Sequence, residues 1–188
     1  MKVLTILGSP KKNGKTAKVI SMLEKNLILQ GHEMEQIHVA DYKINGCLGC
    51  NVCHSKAEQP YCIQKDDLKT IFLQMMSADV IVYASPLYAF SFPAQMKSLI
   101  DRHYCFITNP GQPNESSVIQ CKHVALLMTC CDPIENNADL APIMFERMFR
   151  WLKCYICGKY IVELSYSPDF ESRAEQISKT MAYEITKY

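Results

Sequence analysis

The sequence predicts an α/β fold in which a parallel sheet of five strands is covered by helices on both faces. Three observations carry that expectation. Short, partly β-branched apolar runs recur along the chain and are bounded by turn or polar residues, the pattern of strands buried on both sides. Between them, apolar residues recur three and four apart, the period of an amphipathic helix. The two kinds of segment alternate, so neighbouring strands are joined by right-handed crossovers and run parallel.

Val3 to Leu7 is the first strand, and Val19, Ile20, Leu23 and Leu27 mark the buried stripe of the helix that follows. Glu33 to Val39 is a weaker, more polar strand. Leu68, Ile71, Phe72, Met75 and Met76 mark a second helix ahead of the strand Val80 to Ala84, and Met96, Leu99, Ile100 and His103 mark a third. Val124 to Met128 is the fourth strand, and Asn136 to Lys153 is the fourth helix. Tyr160 to Leu164 is the last strand, and Glu171 to Thr186 the last helix, with Ile177, Met181 and Ile185 on one face. The strand order expected is the flavodoxin-like 2-1-3-4-5. In such sheets ligands sit beyond the carboxyl ends of the strands, where the order reverses. The site is therefore expected in Ser9 to Thr16, Ser85 to Phe92 and Thr129 to Glu135.

A length of 188 residues supports a substantial core, and no linker composition divides it, so residues 1–188 read as a single domain. Twenty basic and nineteen acidic residues leave a net charge of +1, without the basic stripe that nucleic acid or an anionic membrane requires. The apolar start, Met1 to Gly8, is too short for a signal peptide, and no stretch reaches the length of a membrane span. The expected location is the cytoplasm. Ten cysteines are accordingly read as reduced thiols. Cys105, Cys121, Cys130, Cys131, Cys154 and Cys157 fall within or beside apolar runs, where cysteine serves as a small hydrophobe. Cys154 and Cys157 form a CxxC that lacks the strand-to-helix setting of a thioredoxin-like site.

Gly8-Ser9-Pro10-Lys11-Lys12-Asn13-Gly14-Lys15-Thr16 joins the first strand to the first helix, where unpaired amides and the helix dipole face an anion. Ser9, Asn13 and Thr16 add neutral donors, and Lys11, Lys12 and Lys15 add charge. Five residues separate Gly8 from Gly14-Lys15-Thr16, where the nucleotide-binding P-loop has four, which argues against an NTPase. A lysine-rich helix cap is the plainer alternative. After the third strand, Ser85-Pro86-Leu87-Tyr88-Ala89-Phe90-Ser91-Phe92-Pro93 combines a proline-restricted backbone with rings that can face a planar cofactor. Those rings could equally cap the core or fill a subunit interface.

These two loops, with Ala78-Asp79-Val80-Ile81-Val82-Tyr83-Ala84 before the second and Phe92-Pro93-Ala94-Gln95-Met96-Lys97 and Asp101-Arg102 after it, resemble the NADPH-dependent FMN reductase family of the flavodoxin-like superfamily. The motifs fall within residues 1–105. The resemblance implies FMN held through its phosphate by Ser9, Lys11, Asn13, Gly14, Lys15 and Thr16. Ser85, Pro86, Leu87, Tyr88 and Phe90 would surround the ring system, with Thr129 and Cys130 contributed by the loop after the fourth strand. It also implies a homodimer or homotetramer in which a neighbour closes the site. The expected activity is an oxidoreductase taking electrons from NAD(P)H to a small acceptor such as a flavin or quinone. A flavodoxin-like electron carrier without nicotinamide-dependent activity is the alternative. No side chain stands out as a catalytic acid or base.

Cys47-Leu48-Gly49-Cys50-Asn51-Val52-Cys53, followed by Cys62, lies in a cysteine-rich loop at 46–66 and resembles the iron-sulfur flavoprotein branch of that family. In that branch a [4Fe-4S] cluster passes electrons to FMN, which here would make Cys47, Cys50, Cys53 and Cys62 metal ligands and a ferredoxin-like protein a candidate donor. Eight residues separate Cys53 from Cys62, longer than the compact pattern of the branch. A cluster, a zinc ion and a metal-free loop remain as alternatives, with Lys56 to Pro60 as the segment that would bring Cys62 back and His54 as a substitute ligand. Asp66 is expected to cap the next helix, with Asp67 adding charge to its first turn.

Overall fold

A computed structural model describes residues 1–55 and 61–187. Strands β1 (Lys2–Leu7), β2 (Glu33–His38), β3 (Val80–Pro86), β6 (His123–Thr129) and β7 (Tyr155–Val162) form one parallel sheet in the order β2-β1-β3-β6-β7. A separate hairpin pairs β4 (Ile107–Thr108) with β5 (Ser116–Ser117). With that hairpin set aside, the order is the expected 2-1-3-4-5.

The strands alternate cleanly between two apolar layers. Leu4, Ile6, Ile81, Tyr83, Val124, Leu126 and Met128 meet α2 (Leu68–Ser77), α3 (Ala94–Asp101) and α4 (Ala141–Trp151). Val3, Leu7, Val80, Val82, Ala84, Ala125 and Leu127 meet α1 (Lys15–Leu29) and α5 (Phe170–Glu184). A period of two, apolar on both faces, is what a sheet covered on both sides demands. The crossover from β1 to β2 runs through α1 on one face, and the next crossover runs through α2 on the other. The reversal in strand order falls between β1 and β3.

Two boundaries move. β7 begins at Tyr155 rather than Tyr160, because Cys157 and Val162 turn into the core layer while the residues between them stay partly exposed or exposed at the sheet edge. α4 starts at Ala141 rather than Asn136, since Asn136 takes φ +57° in the turn that precedes it. A 3-10 turn over Arg102–Phe106 continues from α3 and buries Arg102, His103, Cys105 and Phe106. Tyr83 Oη lies 2.7 Å from His103 Nε2, and His103 Nδ1 lies 2.8 Å from the Leu99 carbonyl. The imidazole therefore donates from Nδ1 and accepts from the tyrosine.

Candidate functional site

The carboxyl ends of β1, β3 and β6 are tied to one another. Gly8 N–H donates to the Ala84 carbonyl at 2.8 Å, Leu87 N–H to the Thr129 carbonyl at 2.8 Å, and Cys130 N–H to the Val162 carbonyl at 3.2 Å. The three predicted loops thus leave the sheet side by side. Gly8 permits the first exit: a Cβ there would lie 2.6 Å from Met96 Cβ and 2.7 Å from Met96 Cε. A side chain at that position would push α3 away from β1.

Beyond Gly8, Ser9 is buried, and its hydroxyl accepts the Lys11 amide at 3.1 Å. Gly14 is the N-cap residue of α1, extended at φ −79° and ψ 179°, and no side chain caps the first-turn amides. A Cβ on Gly14 would sit 3.3 Å from Lys11 Cβ and 3.6 Å from Ser9 Oγ, filling the hollow of the loop. An uncapped helix start around such a hollow suits a phosphate monoester. Thr16 is buried, and its hydroxyl lies 2.7 Å from that of Thr129, which is also buried. One hydroxyl donates to the other, so the pair keeps a single proton for an outside acceptor.

The lysines of this loop divide by partner. Lys12 pairs with Asp41 at 2.8 Å, and the Lys15 ammonium stands 4.8 Å from the Phe170 ring centroid. Among the described residues Lys11 has no acidic partner, and with exposed Asn13 it rims the hollow. The sequence reading missed His38, whose Nε2 lies 2.7 Å from the Ser9 carbonyl. His38 ends β2, the strand beside β1, and that adjacency was the available signal.

In the second loop Ser85 is buried and donates to the Pro86 carbonyl at 3.0 Å. Pro86 and Leu87 are partly exposed, whereas Tyr88 and Phe90 are 45% and 63% exposed. Tyr88 and Ser91 exchange both backbone hydrogen bonds, at 2.9 and 3.0 Å, around Ala89 at φ +46° and Phe90 at φ +62°. Two non-glycine residues at positive φ make a strained reversal, of the kind found at ligand clamps. Leu87, Tyr88 and Ser91 N–H are committed to backbone carbonyls, whereas Ala89 and Phe90 N–H have no backbone acceptor among the described residues. In the third loop Cys130 is buried, with its thiol 3.2 Å from the Asp132 carbonyl; burial, then the charge of Glu163, pushes that thiol up to about 11. Glu163 also accepts the Ile134 amide at 2.7 Å, which fixes this loop against the end of β7.

Cys47 and Cys50 are exposed, while Cys53 and Cys62 are partly buried against the core layer. Among the described residues, no group of three or more His, Cys, Asp or Glu is arranged to hold a metal ion. A [4Fe-4S] cluster takes four thiolates around one centre. The segment Lys56 to Pro60 lies outside the described residues. His54 stacks on Tyr104 with ring centroids 4.1 Å apart. Asp66 is also placed otherwise than expected: its carboxylate grips Arg102 at 2.8 and 3.3 Å, both side chains being 1% exposed, and it accepts Asn45 N–H at 3.1 Å. Its contact with the Leu68 amide, at 3.3 Å, is secondary, and Asp67 binds Lys43 N–H at 2.7 Å.

The remaining cysteines split by burial. Cys154 and Cys157 are buried and donate to the Ile119 and Val124 carbonyls, each at 3.3 Å. Burial pushes both thiols up to about 12, an inert setting for a CxxC. Cys121 and Cys131 are exposed, contrary to the expectation of small core hydrophobes.

A family model described as NADPH-dependent FMN reductase matches residues 1–166. An iron-sulfur flavoprotein of Archaeoglobus fulgidus is 40% identical over 102 residues, 54% of this chain and 45% of its own length. The chain spans about half the length of the first curated relatives it matches. Among solved structures, the NAD(P)H:quinone oxidoreductase from Methanothermobacter marburgensis superposes with a TM-score of 0.74 at 15% identity, covering 96% of this chain and 98% of that one. An FMN-dependent NADH-azoreductase from Bacillus anthracis, solved with FMN, superposes with a TM-score of 0.72 at 14% identity over 100% and 99% of the two chains.

Proposed function

Since the chain belongs to the NADPH-dependent FMN reductase family, we propose that it is an FMN-dependent oxidoreductase that takes electrons from NAD(P)H and passes them to a small acceptor such as a flavin or quinone. The observation that carries this reading is the meeting of the three loops at one end of the sheet, closed by the 2.7 Å contact between Thr16 and Thr129. Bound FMN would supply the hydride and electron chemistry. The first-turn amides of α1, the Gly14 hollow and the remaining hydroxyl proton of the threonine pair bind the phosphate. Lys11 and Asn13 close its rim, and Ser9 holds the loop backbone in shape. Pro86, Leu87, Tyr88 and Phe90 present apolar surface to one face of a planar ring, and the amides of Ala89 and Phe90, without a backbone acceptor among the described residues, can hydrogen-bond its polar edge. Cys130 forms the floor on the β6 side.

The exposure of Tyr88 and Phe90 supports an assembly in which a second copy covers the ring. Among the described residues no helix is long and apolar enough to cross a membrane. Anaerobic stopped-flow mixing of the FMN-loaded protein with NADPH and with NADH tests the proposal. Rapid loss of the oxidised-flavin absorbance with either nucleotide is expected. Absence of bleaching with both would leave a carrier and sink the oxidoreductase reading.

A further inference from the structure

The imidazole at the end of β2 reaches the loop in which the phosphate is placed. The His38 side chain is 9% exposed, and its Nε2 lies 2.7 Å from the Ser9 carbonyl oxygen, 29 residues away in sequence. A carbonyl oxygen has no proton to give, so the hydrogen sits on Nε2 and His38 is the donor. Nδ1 is buried without a hydrogen bond among the described residues, and Asp41 Oδ1 stands 3.4 Å from it. The same Asp41 oxygen holds the Lys12 ammonium at 2.8 Å. The end of β2 and the turn Val39–Asp41 therefore hold the loop after β1 at two points, Ser9 and Lys12.

Ser9 is followed by Pro10, which has no amide hydrogen to offer an anion. The Ser9 hydroxyl accepts the Lys11 amide at 3.1 Å and keeps its own proton. Its oxygen lies 3.6 Å from where a Gly14 Cβ would stand, on the wall of the hollow. Left free to turn, the Ser9 carbonyl would set the negative end of its dipole against an anion in that hollow. We propose that His38 is a positioning residue for phosphate selectivity: by tying the Ser9 carbonyl to β2, it keeps donors rather than an acceptor around the hollow. It thereby favours FMN over riboflavin, the same flavin without its phosphate. The inference rests on the FMN reading of this loop and adds to it the residue that sets the discrimination. His38 acts through Ser9 and not on the ligand. Because its hydrogen bond is already made in the ligand-free chain, the loop is shaped before the phosphate arrives, which removes an ordering cost from binding.

The test titrates the full chain, stripped of flavin, with FMN and with riboflavin and follows quenching of flavin fluorescence. The wild type should prefer FMN. His38→Phe, a ring without a donor, should weaken FMN about tenfold, the worth of one well-placed hydrogen bond, and leave riboflavin unchanged. His38→Gln, whose side-chain amide reaches the Nε2 position, should restore the preference. A preference for FMN that survives His38→Phe would overturn this inference and leave the phosphate placement standing, whereas a wild type that binds both flavins alike would overturn both. Equal loss of both flavins in His38→Phe would also overturn it, since that is the mark of a merely structural residue. If His38→Phe does not fold by circular dichroism, nuclear magnetic resonance of the wild-type chain with nitrogen-15 histidine decides. The Nε2 hydrogen of His38 should be present and should shift with FMN but not with riboflavin. An Nε2 without a proton, or one indifferent to FMN, would sink the proposal.

Discussion

Gly8 shows how one missing side chain positions the site. Its absent Cβ lets β1 approach Met96 of α3, and the methyl of Gly8→Ala would meet Met96 Cβ at 2.6 Å. Overpacking of that kind costs about 1–3 kcal/mol, read as a lowered urea midpoint. Met96→Ala in the same chain should recover part of the loss, because it removes the Cε and Cγ contacts at 2.7 and 3.1 Å and leaves only the Cβ contact. Asp66 tests the opposite effect, a charge that must not be left alone. Burial raises its pKa, but the Arg102 hydrogen bond and the backbone amides outweigh that, leaving the carboxylate below its usual range. Asp66→Asn strands the Arg102 guanidinium without a counter-charge and should cost about 3–5 kcal/mol by denaturant titration. The aspartate was visible in the sequence, but its partner lies 36 residues away and local spacing pointed only to a helix cap.

Within the loops, backbone conformation and hydroxyl pairing decide what can be held. Ala89 sits at φ +46°, where a β-branched residue is worse than alanine and glycine is better. Ala89→Val should therefore lower stability by about 1–3 kcal/mol, and Ala89→Gly should leave it unchanged or raise it. Differential scanning calorimetry of the pair gives the sign. For the phosphate loop, replacing both Thr16 and Thr129 by valine removes the shared hydrogen bond without orphaning a buried hydroxyl, so the fold should hold. FMN should bind about tenfold more weakly, in keeping with the loss of one donor worth about 1 kcal/mol or more. Isothermal titration with FMN reads this directly, and unchanged affinity would displace the phosphate from this loop. Both loops were legible from their residue types. Which of their donors are already occupied was not, since Leu87 N–H is spent on the Thr129 carbonyl and Thr16 shares a hydroxyl proton with Thr129, more than forty residues further along in one case and 113 in the other.

Stability of the whole molecule carries a pH signature from its aromatic core. His103 is enclosed with Phe72, Phe106, Phe149 and Tyr83, and burial lowers its pKa to about 4. A histidine depressed in the folded state stabilises fully above its ordinary value near 6.5, and that contribution drains away as pH falls from there toward 4. The loss is about 3 kcal/mol at about 1.4 kcal/mol per pKa unit, visible as a falling urea midpoint between pH 7 and pH 4.5. His103→Gln, which keeps an acceptor for Tyr83 and cannot charge, should flatten the profile over that window. Asp66 acts lower, since a depressed carboxylate loses its contribution only once pH drops below the usual aspartate range. The two groups are therefore separable by pH.

The sequence by itself determined the layered α/β architecture, the strand order and the sheet edge at which the loops meet. Hydrophobic periodicity is a local property, and crossover handedness turns it into topology with little freedom left. Tertiary structure alone decided which thiols are buried. Four cysteines close in sequence have different surroundings: Cys47 and Cys50 are exposed, while Cys53 and Cys62 are partly buried against the core layer. Spacing constrains only neighbours along the chain. Which of them reach the core layer is settled by how the cysteine loop packs against the turn after α3, and that packing depends on contacts distant in sequence.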